Sequence, residues 1–248
     1  MKNCGYFMEP QNFTVNDGDG IRTIIFMAGC PLRCKWCSNP EGQYVNNCLV
    51  KEYSVYELLK IIERQEIFYK YSNGGVTFSG GEATIQQDVL RELVNRLYDK
   101  AINLAIETSG YFEFNELKDV LQKIDLIFID IKHMDEDKHL MFTGVSNKKI
   151  LENVKRLNEL NSNVVVRVPL IEGVNADDEN IINTAKFVKR NIVNPKIELL
   201  PYHRFGDEKY EVLGIDKPSR EFKKPSDEKI KELKNLIKIE GVEVVSYK

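Results

Sequence analysis

Short runs of β-branched and aromatic residues recur along the chain, and the stretches between them carry apolar residues at helical spacing. Residues 21–27 (Ile-Arg-Thr-Ile-Ile-Phe-Met), Val76-Thr77-Phe78, 102–106, Leu126-Ile127-Phe128-Ile129, Val164-Val165-Val166-Arg167-Val168 and 196–200 read as buried strands. Ser54 and Glu57 form a capping box that opens a helix whose buried face is Val55, Leu58, Leu59 and Ile62. Val89, Leu90, Leu93, Val94 and Leu97 mark the next helix. Others are expected over 114–121, as a short turn near 135–142, over 148–160, and over 177–190 with acidic residues in its first turn. Ser226 caps a last helix bearing Ile230, Leu233 and Ile237, and residues 242–245 read as an edge strand. Such alternation leaves few solutions besides a parallel sheet of βα units. Six units are about three-quarters of an eight-unit barrel, so the expected class is α/β, a partial (βα)6 barrel with helices outside. The polar, turn-rich residues 1–20 read as an N-terminal surface segment, 21–200 as the core and 201–248 as a C-terminal loop, helix and edge strand. With no linker or low-complexity stretch, 1–248 is expected to be a single domain.

Composition removes several function classes. The 248 residues are 42% hydrophobic and 29% charged, with a formal net charge of −3, which gives no reason to expect nucleic acid as a partner. The densest basic run, 217–224, is broken by Pro218 and Glu221 and reads as a solvated loop. No apolar stretch approaches membrane-spanning length, and the first ten residues carry no export signal. A cytoplasmic setting follows as the expectation, and five cysteines in a reducing compartment suggest metal before disulfides.

Three of those cysteines stand in Gly29-Cys30-Pro31-Leu32-Arg33-Cys34-Lys35-Trp36-Cys37-Ser38-Asn39, directly after the first strand. Three thiolates so close cannot all pair as disulfides, but they can hold one metal centre and leave a coordination position open. The other unusual residues also fall at strand ends, where parallel α/β folds bind ligands. Gly80-Gly81-Glu82 follows the second strand, Glu107-Thr108 the third and Asp130-Ile131-Lys132 the fourth. Arg167 lies near the end of the fifth and His203 follows the sixth. A buried Arg167 would require an anionic partner, because guanidinium does not lose its proton. His133 reads as structural, and Cys4 and Cys48 as plain thiols.

The cysteine triple, with an aromatic residue before its third member, resembles the radical S-adenosylmethionine superfamily. The ordered set Asp17-Gly18-Asp19-Gly20-Ile21-Arg22, Ser79-Gly80-Gly81-Glu82, Asp130-Ile131-Lys132, His139 ahead of Thr143-Gly144-Val145-Ser146-Asn147, and Leu200-Pro201-Tyr202-His203 is similar to the glycyl radical enzyme activases, the pyruvate formate-lyase activating type above all. The resemblance implies one [4Fe–4S] cluster on Cys30, Cys34 and Cys37, with S-adenosylmethionine on its open iron. It implies reductive cleavage to a 5′-deoxyadenosyl radical that takes a hydrogen atom from a glycine of a partner glycyl radical enzyme. By match, Gly80, Gly81 and Glu82 meet the methionyl ammonium; Asp130, Ile131, Lys132, Arg167 and His203 line the cofactor site; Trp36 and Ser38 lie beside the adenine. Asp17 and Arg22 would stand where the partner's glycine loop enters. Glu107, Thr108 and Asp130 match positions that hold a monovalent cation, Na+ or K+. The resemblance further implies a flavodoxin or ferredoxin as electron donor, and a monomer is expected.

The chain departs from the family pattern at three places. Glu107 stands where aspartate is common, and Asp19 where proline is usual. Ser38-Asn39-Pro40-Glu41 resembles activases with a ferredoxin-like insert, yet between Cys37 and Gly80 the only cysteine is Cys48, so a single cluster is expected. Two other readings compete: a radical enzyme acting on a small molecule, and a structural zinc or iron–sulfur module with Cys48 as fourth ligand.

Overall fold

The computed structural model describes residues 3–160, 162–216 and 222–247. The elements in chain order are β1 (Cys4–Phe7), β2 (Gln11–Thr14), β3 (Arg22–Met27), β4 (Lys51–Ser54), α1 (Val55–Glu63), α2 (Glu66–Ser72), β5 (Gly75–Gly80), α3 (Gln87–Tyr98), β6 (Asn103–Thr108), α4 (Phe114–Leu121), β7 (Leu126–Asp130), α5 (Glu136–Thr143), α6 (Lys148–Arg156), β8 (Asn163–Leu170), α7 (Asp178–Asn191), β9 (Lys196–Pro201), α8 (Asp207–Leu213), α9 (Asp227–Ile239) and β10 (Glu243–Val244). β3, β5, β6, β7, β8 and β9 pair in that order, all parallel, which is the expected set of six βα units closed part-way into a barrel. β10 extends the sheet beside β9, again parallel. The basic run 217–224 lies mostly outside the described residues.

The other end of the sheet departs from expectation. Residues 4–7 and 11–14 are not surface turns but the strands β1 and β2, antiparallel to β3, and β4 joins the edge beside β1. Each is only four residues long, too short for an alternating pattern to stand out, and each owes its form to the neighbouring strand. The Ser54 capping box forms as read: Ser54 Oγ accepts from Glu57 N at 3.3 Å and Glu57 Oε2 accepts from Ser54 N at 2.8 Å. α8 lies in a stretch expected to be loop.

Strand pleating decides which side chains enter the barrel. Along β7, Ile127 and Ile129 face the large core beneath the helices, while Leu126 and Phe128 face inward with Ala105, Val165 and Tyr247. Arg22 is also inward and fully buried. Its guanidinium donates to Thr77 Oγ1 at 2.7 Å, Asn103 Oδ1 at 2.9 Å and the carbonyls of Val76 and Asp19 at 2.8 and 3.1 Å. It lies at the start of β3, the end of the barrel opposite the cysteine loop. Burial pulls its pKa down to about 10, leaving it charged at neutral pH. Arg22→Leu should therefore strand four polar acceptors and lower stability by about 3 kcal/mol, as read by urea unfolding; a loss below about 0.5 kcal/mol would show that the network is dispensable.

Candidate active site

Above that floor the barrel interior becomes charged. Arg167 sits between two carboxylates: its Nε donates to Glu198 Oε2 at 2.8 Å and its Nη1 pairs with Glu107. Its Nη2 reaches the carbonyl of Asn16 at 3.3 Å, and the guanidinium carbon lies 3.5 Å over the Phe128 ring centre. Burial depresses the guanidinium, but Glu107 and Glu198 outweigh it and hold Arg167 above the usual arginine range. The anionic partner required from sequence is thus present twice over. Glu198 was not singled out, although a lone acid within Lys196-Ile197-Glu198-Leu199-Leu200 at an inward position was the available signal.

The next layer opens into a cavity of about 360 Å³ at the carboxyl ends of the parallel strands, a volume suited to a small ligand. Cys30, Cys34 and Cys37 line one wall with Trp36 and Ser38. Gly80 and Gly81 line a second, and Glu107 and Thr108 a third. Asp130, Lys132, Arg167 and His203 complete the ring, and Asp17 enters from the N-terminal segment. Asn16, Ser79 and Ser109 also line it, although none was among the expected site residues. A larger groove of about 690 Å³ lies outside the barrel beside His133, Lys138 and Lys186, but it contains no thiol and none of the strand-end residues. His133 is buried there with Nδ1 accepting from Asp135 N at 3.0 Å.

Each wall has a local cause. The cysteine loop is pinned from outside by α5, whose Thr143 and Phe142 carbonyls accept from Arg33 N at 2.7 Å and Lys35 N at 3.0 Å. Buried His139 donates from Nδ1 to Val145 O at 2.7 Å and so fixes the turn that follows α5. On the other limb, Tyr210 of α8 donates to the Cys37 carbonyl at 2.8 Å, and Lys209 pairs with buried Glu41. Trp36 packs against Phe142 and Phe222 at 5.8 and 5.9 Å between ring centres. At the Gly80-Gly81 turn, a Cβ on Gly81 would stand 2.0 Å from the Gly42 carbonyl. Gly81 N and Glu82 N are spent on the Met27 and Gly29 carbonyls, so what the turn has left to offer a ligand is carbonyl oxygen, which suits an ammonium group.

The electrostatics are uneven. Burial pushes the Cys30 and Cys34 thiols up to about 12 and raises Cys37 as well, so these sulfurs stay protonated until a metal supplies the free energy to deprotonate them. Lys132 Nζ lies 2.7 Å from Asp130 Oδ2; burial acts against the ammonium, but Asp130 and the nearby Cys34 hold its pKa high. Burial, and then Glu107, raise Asp17 to about 6, with Arg167 opposing.

Three expected site residues are placed elsewhere. Arg22 belongs to the barrel floor, out of reach of a partner loop at the mouth. Ile131 takes the outward phase of β7's alternation and packs in the core beneath the helices. Glu82 is buried, with Oε1 accepting from Thr84 N, Thr84 Oγ1 and Thr108 Oγ1 and Oε2 from Ser109 N and Oγ. It ties the β5 turn to the end of β6 and has no oxygen turned to a ligand. The expected cation site is not assembled either. Glu107 is committed to Arg167 and to Ser79 Oγ at 2.6 Å, Thr108 Oγ1 to Glu82, and Asp130 to Lys132. The added methylene of Glu107, relative to aspartate, gives it the reach to the guanidinium.

Among the described residues no three His, Cys, Asp or Glu side chains converge as a single ion would need. A cluster suits the thiols better, since each sulfur takes its own iron. Cys48, the possible fourth zinc ligand, is exposed and outside the cavity. The donor set therefore fits an iron–sulfur cluster with three protein thiolates.

Comparison with known proteins agrees. Residues 24–185 match the family model described as the Radical SAM superfamily. The chain belongs to the radical SAM superfamily. The trans-4-hydroxy-L-proline dehydratase activating enzyme of Clostridioides difficile is 37% identical over 283 aligned positions, covering 91% of this chain and 93% of that protein. The choline trimethylamine-lyase activating enzyme of Oleidesulfovibrio alaskensis is 34% identical, covering 84% and 86%. A solved domain of a pyruvate-formate lyase-activating enzyme from Bacteroides vulgatus superposes with a TM-score of 0.59 at 31% identity, over 69% of this chain and 98% of that domain. Within the radical SAM superfamily the chain thus falls among the glycyl radical enzyme activating enzymes, whose family cofactors are a [4Fe–4S] cluster and S-adenosylmethionine.

Two outcomes test this radical SAM site. Glu82→Gln should turn part of the bracket from acceptor to donor and cost about 2 kcal/mol of stability without any ligand, by chemical denaturation; unchanged stability with altered cofactor affinity would return Glu82 to direct ligand contact. Asp17, with its folded pKa above the unfolded 3.8, favours the fold at low pH and loses that contribution as pH rises through about 6. Asp17→Asn should raise stability at pH 7 by about 1 kcal/mol, after discounting for its partial exposure, with the gain vanishing near pH 4. A loss at pH 7 would mean that the ionised carboxylate supports Arg167.

Proposed function

We propose that this chain is a single-domain, single-cluster activase that acts in the cytoplasm as a monomer and takes a hydrogen atom from a glycine of a partner glycyl radical enzyme. The observation that carries the reading is the convergence, in one cavity, of three thiols with a glycine turn rich in carbonyl oxygen, the Asp130–Lys132 pair and Arg167. Those groups suit an amino acid headgroup, which bears both an ammonium and a carboxylate. When bound, the cluster and S-adenosylmethionine supply the radical chemistry, and the chain supplies orientation and exclusion of water. Gly80 and Gly81 offer acceptors to the ammonium. Lys132 offers a cation to the carboxylate, and Asp130 fixes Lys132 in place. Trp36 and Ser38 flank the space beside Cys37 where an adenine would lie, and His203 closes the rim. Arg167, paired with Glu107, occupies the position that a monovalent cation would otherwise neutralise.

The single-cluster reading has support in the chain's length. The alignment with the hydroxyproline dehydratase activating enzyme runs over 283 positions but uses only 91% of these 248 residues, so that relative holds several dozen positions absent here. Between Cys37 and Gly80 the chain builds only a 3-10 turn, β4, α1 and α2. The relatives are named for activating a dehydratase and two different lyases, which is why no one client is preferred. Anaerobic reconstitution should give about four irons per chain, and dithionite reduction with S-adenosylmethionine should release methionine and 5′-deoxyadenosine. Mixing with candidate glycyl radical enzymes should then give a glycyl radical by electron paramagnetic resonance with one of them. Iron near eight or twelve per chain would overturn the single cluster; turnover coupled to a small metabolite, with no radical on any protein, would overturn the activase reading.

A further inference from the structure

Reductive cleavage of a sulfonium consumes one electron, and the proposed activity requires a route for it to the cluster. On the activase reading, cofactor and substrate would use the cavity side of the cysteine loop. Its outer side is a distinct surface. Arg33 is exposed there, and its Nη1 donates to the carbonyls of Cys30 and Leu32 at 2.6 and 2.7 Å. The guanidinium lies 4.4 Å over the Tyr44 ring centre, with Nε donating to Tyr44 Oη at 3.0 Å. One side chain therefore spans from solvent to the backbone of a cysteine expected to ligate iron. Exposed Lys35, between Cys34 and Trp36, holds its Nζ 5.3 Å from the Phe142 ring centre.

Apolar side chains surround this pair. Val45 and Ile85 flank Gly29, where an added Cβ would meet them at 3.7 and 3.1 Å. Tyr44, Val45 and Ile85 are 41% to 55% exposed, and Leu140 and Met141 of α5, the helix to which the loop is hydrogen-bonded, are 49% and 60% exposed. Among the described residues most basic groups near acids are paired with them, but no ion pair involves Arg33 or Lys35. Two unpaired cations set in an exposed apolar surround, on a molecule of net charge −3, suit a protein of opposite local charge.

We propose that the outer face of the cysteine loop, centred on Arg33, Lys35 and Tyr44, is the docking surface for an acidic, low-potential one-electron carrier protein. The inference rests on the activase reading for its purpose, and the carrier gives up one electron, which passes to the cluster. Arg33 and Lys35 supply the local positive charge that would orient an acidic carrier against the cysteine loop.

The test compares wild type with Lys35→Glu and Arg33→Glu in the reconstituted protein. An acidic flavodoxin serves as carrier and dithionite as the small reductant. Lys35→Glu is the cleaner variant, since among the described residues the Lys35 side chain makes no hydrogen bond, whereas Arg33→Glu also removes a support of Cys30. Stopped-flow bleaching of the cluster should show flavodoxin-driven reduction slowed ~10-fold or more at low salt, with the difference shrinking as salt rises. Dithionite-driven reduction should stay within ~2-fold of wild type. Binding of oxidised flavodoxin, measured by calorimetry and needing no turnover, should weaken in parallel. Equal slowing with both reductants, or unchanged flavodoxin binding and reduction in Lys35→Glu, overturns the docking surface. A wild-type protein that is reduced by flavodoxin but never cleaves S-adenosylmethionine overturns the activase reading and leaves the docking result standing.

Discussion

A guanidinium cannot shed its charge, so a buried arginine imposes its requirements on everything around it. Arg167 does this at the centre of the barrel. It draws Glu107 from β6 and Glu198 from β9, holds the Asn16 carbonyl of the N-terminal segment, and lies over Phe128 of β7. Four strands, β6 to β9, and the N-terminal segment are thereby fixed in one layer. That layer separates the barrel floor, where Tyr247 meets Phe128 at 5.0 Å between ring centres, from the polar mouth above. The cavity owes its bottom to this layer, and Asp17 owes its raised pKa first to burial and then to Glu107, with Arg167 opposing.

The cysteine loop depends on a second set of constraints that come from outside the barrel. Backbone bonds from α5 hold one limb, Tyr210 and the Lys209–Glu41 pair hold the other, and the Glu82 bracket fixes the turn that faces it. None of these residues needs to touch a cofactor. They keep three protonated thiols on one wall, so the cost of ordering the loop is met before a metal arrives. The same arrangement leaves Arg33 and Lys35 on the far side of the loop, facing solvent.

Much of this was legible in the sequence because two periodicities are strong. Alternation of β-branched strands with amphipathic helices fixes the parallel core, and the pleat then sorts inward from outward residues. Applied fully, that rule also separates Asp130 from Ile131, which a motif taken as a block does not. The short strands β1, β2 and β4 were not legible, since four-residue edge strands take their shape from a neighbour. Glu82 and Glu107 were read as groups facing a ligand because a carboxylate at a strand end has no visible partner in one dimension. Their partners come from other strand ends, Thr108 and Ser109 for Glu82 and Arg167 for Glu107, at sequence separations that spacing cannot reveal. Arg22 was misplaced for a related reason: it adjoins a turn near the mouth residue Asp17, yet the strand it begins starts at the opposite end of the barrel.

The central claim is that the three-thiol wall holds a cluster with one open iron, and that the facing residues seat an amino acid headgroup on it. Electron–nuclear double resonance on the reduced, reconstituted protein tests this directly, with S-adenosylmethionine carrying nitrogen-15 in its amino group and oxygen-17 in its carboxylate. The account predicts hyperfine coupling of both labels to the cluster, lost when Cys34 is replaced by serine. Absence of coupling from both labels in a protein that carries an intact cluster would contradict it.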